Sequence, residues 1–125
     1  MQMVKNVSLW SLLVLCSLAV LSCGKKDEDR PISEVKTEAE QMITDELRAE
    51  AMKCKEAITS KRGELEKLTA KLKGLPVTEM LGEEAKGLKA DIEDLNKSVS
   101  ALKERFDVYY RKLQEKGGDT SGLQI

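Results

Sequence analysis

Ten residues in the second half of the chain fall on one stripe without a miss. Leu81, Ala85, Leu88, Ile92, Leu95, Val99, Leu102, Phe106, Tyr109 and Leu113 are spaced alternately four and three residues apart. A mean spacing of ~3.5 residues keeps one face of an α-helix turned toward a neighbouring helix along its whole length, whereas a half-buried strand alternates every second residue. Between the stripe positions stand Glu83, Glu84, Lys86, Lys89, Asp91, Glu93, Asp94, Lys97, Lys103, Glu104 and Arg105, which are expected to keep the other faces in water. This half of the chain therefore reads as one long helix whose seam runs through Leu81, Leu88, Ile92, Leu95, Val99, Leu102, Phe106 and Leu113.

The first half repeats the rhythm less cleanly. Leu47, Ala51, Cys54, Ile58, Lys61, Leu65, Leu68, Leu72 and Leu75 keep the frame, with Lys61 as the single charged intruder. Upstream, Ile32, Val35, Ala39, Met42 and Ile43 stay apolar but slip out of it, as a stutter would produce. Ser33 is a candidate N-cap, and Thr37 with Glu40 offers a capping box one turn later. Gly63 costs ~1 kcal/mol relative to Ala, yet the frame survives across it. The reading is one helix over about 33–73.

Gly74-Leu75-Pro76-Val77-Thr78 breaks the pattern. Gly suits a helix C-terminus, Pro76 has no amide to donate and disfavours helix at Leu75, and Thr78 can cap a second helix. A loop over 74–78 leads to that helix, over about 79–116, ended by Gly117-Gly118, with 117–125 as a flexible tail. A short connection favours antiparallel neighbours, so the expected fold is all-α: two long helices forming an antiparallel coiled-coil hairpin. Two registers fit, one facing Leu72 with Leu81 and the other with Leu88; the second also brings Lys71 near Asp91.

The start of the chain has a different character. Lys5 stands before an apolar run from Val7 to Leu21, and everything after Cys23 is polar and charge-rich. The run of 15 residues would rise only ~23 Å as a helix, short of the ~30 Å hydrocarbon core. A charged start, a short apolar middle and a small residue before the break describe an export signal that is later removed. Val20-Leu21-Ser22-Cys23 resembles the lipobox of bacterial lipoproteins, although Val20 and Leu21 stand where the commonest pattern has Leu and a small residue. The resemblance implies that residues 1–22 are a signal peptide cut between Ser22 and Cys23, and that the Cys23 thiol receives a diacylglycerol, often with acylation of the new amine. Gly24 after the Cys resembles the sorting pattern for the outer membrane. An uncleaved signal anchor, or ordinary secretion with a spare Cys, are the alternatives. Residues 23–32 then read as a lipid-anchored charged tether with nothing to bury.

Composition narrows the function classes. The chain carries 21 basic and 22 acidic residues, and removal of 1–22 takes away only Lys5, leaving 20 against 22. No excess of positive charge is available to hold nucleic acid, so that partner is not expected. There is no His, hence no imidazole base and no ordinary zinc site, and neither a CxxC pair nor a glycine-rich phosphate loop occurs. Glu83-Glu84 and Asp91-Asp94 read as solvated helix charges, since nothing nearby would desolvate them. Neither catalysis, a cofactor nor a metal is expected. With Cys23 lipidated, Cys54 is left alone at a seam position: a small buried thiol, or a disulfide between two copies.

The expected role is accordingly that of a lipid-anchored envelope protein, a structural spacer or protein-interaction adaptor on the periplasmic side. Its partners would be the membrane, through Cys23, and another protein or further copies of itself, through the coiled coil. The alternative is an oligomeric holdase chaperone for envelope proteins.

Overall fold

A computed structural model describes residues 29–125. The expected signal peptide and lipidated Cys23 lie outside the described residues. Within them the fold is all-helical, with three helices and no strand. Helix α1 spans Ile32–Gln41, α2 spans Thr44–Lys73 and α3 spans Glu83–Glu115, with a short 3-10 turn at Val77–Glu79 between the last two. Helix α2 packs along α3, and α1 packs against α3.

The helix expected over 33–73 is broken in two. Met42 and Ile43 are extended, with ψ of 143° and 165°, so no helical turn passes through them. Neither Gly nor Pro marks the break. At the break Lys116, just past α3, donates from Nζ to the Glu40 carbonyl at 2.8 Å and to that of Met42. Carbonyls at the end of α1 that have no helical partner are thereby satisfied. On the far side of the break, the Glu46 carboxylate accepts from the Ile43 amide at 3.1 Å and starts α2. The frame slip between Ala39 and Leu47 is a chain reversal of course, not a stutter in one rod.

Other boundaries also move. Pro31, not Ser33, precedes the first turn of α1, and the Thr37 hydroxyl donates back to the Ser33 carbonyl at 3.0 Å instead of forming a box with Glu40. Helix α3 begins after Gly82, four residues later than expected, because Pro76, Val77 and Glu79 are taken up by the 3-10 turn (Glu79 amide to Pro76 carbonyl, 2.9 Å). Glu83 and Glu84 then lie in its first turn, where the exposed amides favour negative charge.

Helix α3 ends in a Schellman motif. The Gly118 amide donates to the Leu113 carbonyl at 2.9 Å and that of Gly117 to the Gln114 carbonyl at 3.0 Å, with Gly117 left-handed at φ 71°. The expected flexible tail is instead a docked strap. Arg48 of α2 donates to the Asp119 carbonyl at 2.5 Å and to the Ser121 carbonyl at 2.9 Å, and Lys55 donates to the Gly122 carbonyl at 2.5 Å. Asp119 folds the strap locally by accepting from the Ser121 amide and hydroxyl, both at 2.9 Å. Leu123 is thereby driven wholly into the core.

One end of the molecule is consequently thick and the other thin. Val35 and Ala39 from α1, Leu47, Ala51, Cys54 and Ile58 from α2, Val99 to Leu113 from α3, and Leu123 from the strap form one cluster. Beyond Ile58 and Val99 only α2 and α3 remain. We call the thick end the root and the two-helix part the arm.

Candidate interaction surface

The stripe of α3 holds as a buried face, but unevenly. Leu113, Phe106, Leu102 and Val99 are buried in the root, and Leu88 and Ala85 are buried nearer the turn. Ile92 and Leu95, between them, are half-buried. Leu81 departs from the expected seam altogether: it precedes α3 and is 85% exposed. On α2 the same gradient appears, with Leu47, Ala51, Cys54 and Ile58 buried while Leu65, Leu68 and Leu72 are only half-buried. Two helices alone cover few side chains fully, Ala85 and Leu88 among them, and most of the buried face lies at the root, where a third layer is added.

The third layer is set by Arg105, which sequence reasoning assigned to the solvated faces. It is 6% exposed, and its Nη2 donates to the Arg30 carbonyl at 2.7 Å while Nη1 donates to the Ala101 carbonyl at 3.2 Å. The planar guanidinium thus joins the entry of α1 to α3, a task a lysine's point charge would do poorly. Arg30 itself reaches Glu38 at 2.7 Å, so the end of the expected tether is part of the folded root. A signal was present in the sequence: Ala101, Arg105, Val108 and Lys112 repeat at four, three and four residues beside the main stripe. A second flank of that kind means a second neighbouring helix.

Phe106 and Tyr110 stack at 5.5 Å between ring centroids. Beside them Tyr109 is 5% exposed. Burial, with the Glu50 carboxylate nearby, pushes its phenol from 10.0 up to about 12. Because the folded-state value lies above the ordinary one, folding favours the neutral phenol; that contribution is complete below pH 10 and is lost as pH rises toward 12. Alkaline unfolding followed by helical circular dichroism should therefore fall in this window for the native chain and move to higher pH for Tyr109→Phe. Identical midpoints for the two would refute the assignment.

Cys54 is 7% exposed, among Ala51, Ile58 and Tyr109. A disulfide to another copy would require the root to open, so the thiol is placed for packing. Along the groove between α1 and α3, of about 510 Å³, Ile32 and Val108 form the floor and Lys36, Glu40, Asp107 and Arg111 the walls. Its charged lining carries both signs. Among the described residues no group of His, Cys, Asp and Glu is disposed to hold a metal, and no helix is long and apolar enough to cross a membrane. At the turn between α2 and α3, Val77 (89% exposed) and Leu81 stand in solvent with Met80 beside them. Comparison of the chain with protein-family models, curated proteins and solved structures returned no match.

The two helices of the arm are joined near the turn by Lys71 and Glu84, 3.3 Å apart. Lys71 thus meets Glu84 and not Asp91. At the other end, Thr44 lies against Gly118: a Cβ built on that glycine would be 3.2 Å from the Thr44 Cβ.

Proposed function

We propose that α2 and α3 form an antiparallel coiled-coil hairpin, held to a bacterial membrane by lipid on Cys23, that acts as a spacer or adaptor presenting its tip to a partner protein on the periplasmic side. The antiparallel reading is supported by the Lys71–Glu84 pair at one end and the Thr44–Gly118 approach at the other. The anchor is supported by the Val20-Leu21-Ser22-Cys23 resemblance and by the short apolar run before it. No chemistry is assigned to the fold; its work is to hold two things at a distance.

The observation that carries the role is the placement of the apolar tip relative to the entry of the chain. The backbone leading back toward Cys23 joins the root at Arg30, beside Arg105. From Arg105 to Glu83 the helix rises by ~33 Å, at 1.5 Å per residue, and just beyond stand Val77 and Leu81. Exposed leucine and valine side chains at the end of a rod are poorly placed for the fold and well placed for a docking pocket, where each contributes ~1.5–3 kcal/mol on burial.

A photoactivated crosslinker placed at Val77 or Leu81 in intact cells should capture one defined envelope protein, and Leu81→Asp should abolish that capture while leaving the root folded. Loss of any specific product, together with suppression of aggregation of unfolded envelope proteins by the purified chain, would favour the holdase reading in its place.

A further inference from the structure

We propose that the arm is also the interface of a homodimer, in which α2 of one copy lies against α3 of the other. The proposal rests on the paired-helix part of the proposed function and not on the lipid anchor. Two observations lead to it.

The first is the unfinished seam. Leu65, Leu68, Leu72, Ile92 and Leu95 lie on the same stripes as the buried residues of the root, yet remain half-exposed in the arm, where only Ala85 and Leu88 of α3 are buried. A second hairpin laid on the arm would supply the missing layer and complete a four-helix arrangement. The second is charge. Over Thr59–Lys73 the arm of α2 carries five basic and two acidic side chains, a net of +3, whereas over Glu83–Lys97 the arm of α3 carries three basic and five acidic ones, a net of −2. A helix of one sign and a helix of the other make a self-complementary surface, so a two-fold axis sets each α2 against a partner of opposite charge. Like helices side by side would instead repel.

The footprint is modest. Fifteen residues of helix rise ~22 Å, and two helices side by side are ~20 Å across, giving on the order of 440 Å² of projected face per copy. The two copies together contribute about 880 Å², below the ~1,200 Å² of stable complexes and in the range of weak transient ones, so the dimer should form at tens of micromolar, not nanomolar, concentrations.

The test uses residues 24–125, the exported body, whose core lies entirely between Val35 and Leu123. One variant reverses α2 charge (Arg62→Glu with Lys67→Glu), and a second reverses α3 charge (Asp91→Lys with Asp94→Lys). Sedimentation at tens of micromolar should show a dimer for the native body and monomers for each variant alone, the dissociation constant rising by about tenfold or more. The equimolar mixture of the two variants should recover the dimer, because both interfaces regain opposite charge. Circular dichroism of each species separates the two readings: a helical body that stays monomeric in the native form, or variants that do not recover on mixing, overturns the dimer alone. An unfolded body overturns the hairpin with it.

Discussion

Cys23→Ser should abolish fatty-acid incorporation and leave an uncut, unlipidated precursor with residues 1–22 still attached. In the native protein, mass analysis of the first residue should find Cys23 carrying acyl chains on sulfur. Each buried methylene contributes ~0.8 kcal/mol, and although one chain gives only reversible binding, two or more make attachment stable. No side chain in the described body offers a comparable hold on a bilayer: its largest exposed apolar groups are confined to Val77, Met80 and Leu81 at the tip, Ile43 at the break and Ile125. Fatty-acid incorporation should therefore differ all or none between native and variant protein, whereas the uncut variant keeps the apolar run of residues 7–21 as a second means of holding the bilayer. A native product beginning elsewhere than Cys23, or beginning there unmodified, would remove both the localisation and the spacer role.

Leu113→Ala should cost about 2–5 kcal/mol of folding stability, the range for a fully buried leucine that leaves a cavity. Leu113 has no exposed surface. It packs where the start of α2 meets the end of α3: a Cβ built on Gly118 would overlap the Leu113 side chain and lie 3.2 Å from the Thr44 Cβ. The same crowding should make Gly118→Ala destabilising by about 1–3 kcal/mol, as for other overpacked sites. Leu81→Ala, on the same heptad stripe but 85% exposed, should change stability by less than about 0.5 kcal/mol. Urea midpoints for the three variants provide the measurement. Equal losses for Leu113→Ala and Leu81→Ala would mean that the stripe is buried uniformly and that root and arm do not differ.

The heptad stripe carried the helical class and most of the buried face of α3, because a period of ~3.5 residues is a property of the sequence itself. Gly74 and Pro76 likewise marked the turn, since both act through local backbone restriction. What escaped was set by contacts between residues about seventy positions apart. Lys116 satisfies carbonyls at the Met42–Ile43 break, the strap depends on Arg48 and Lys55, and the docking of α1 on Arg105. Each is a charged side chain donating to a backbone carbonyl, a pairing that leaves no periodic trace. Long charged residues were read as solvated because most are; here their stems and heads close the root. Leu123 was passed over for a related reason, since a lone apolar residue among Asp, Thr, Ser and Gly has no pattern to belong to. The flank of Ala101, Arg105, Val108 and Lys112 was the one available hint of a third helix.

The strap has a consequence for the order in which this polypeptide can acquire its shape. Leu123 fills a space bounded by residues that are made and threaded much earlier, and Arg48 waits on carbonyls some seventy residues downstream. Helix α3 can cover part of Leu47, Ala51 and Ile58 beforehand, but the cluster they share with Leu123 is complete only once the last residues of the chain have docked.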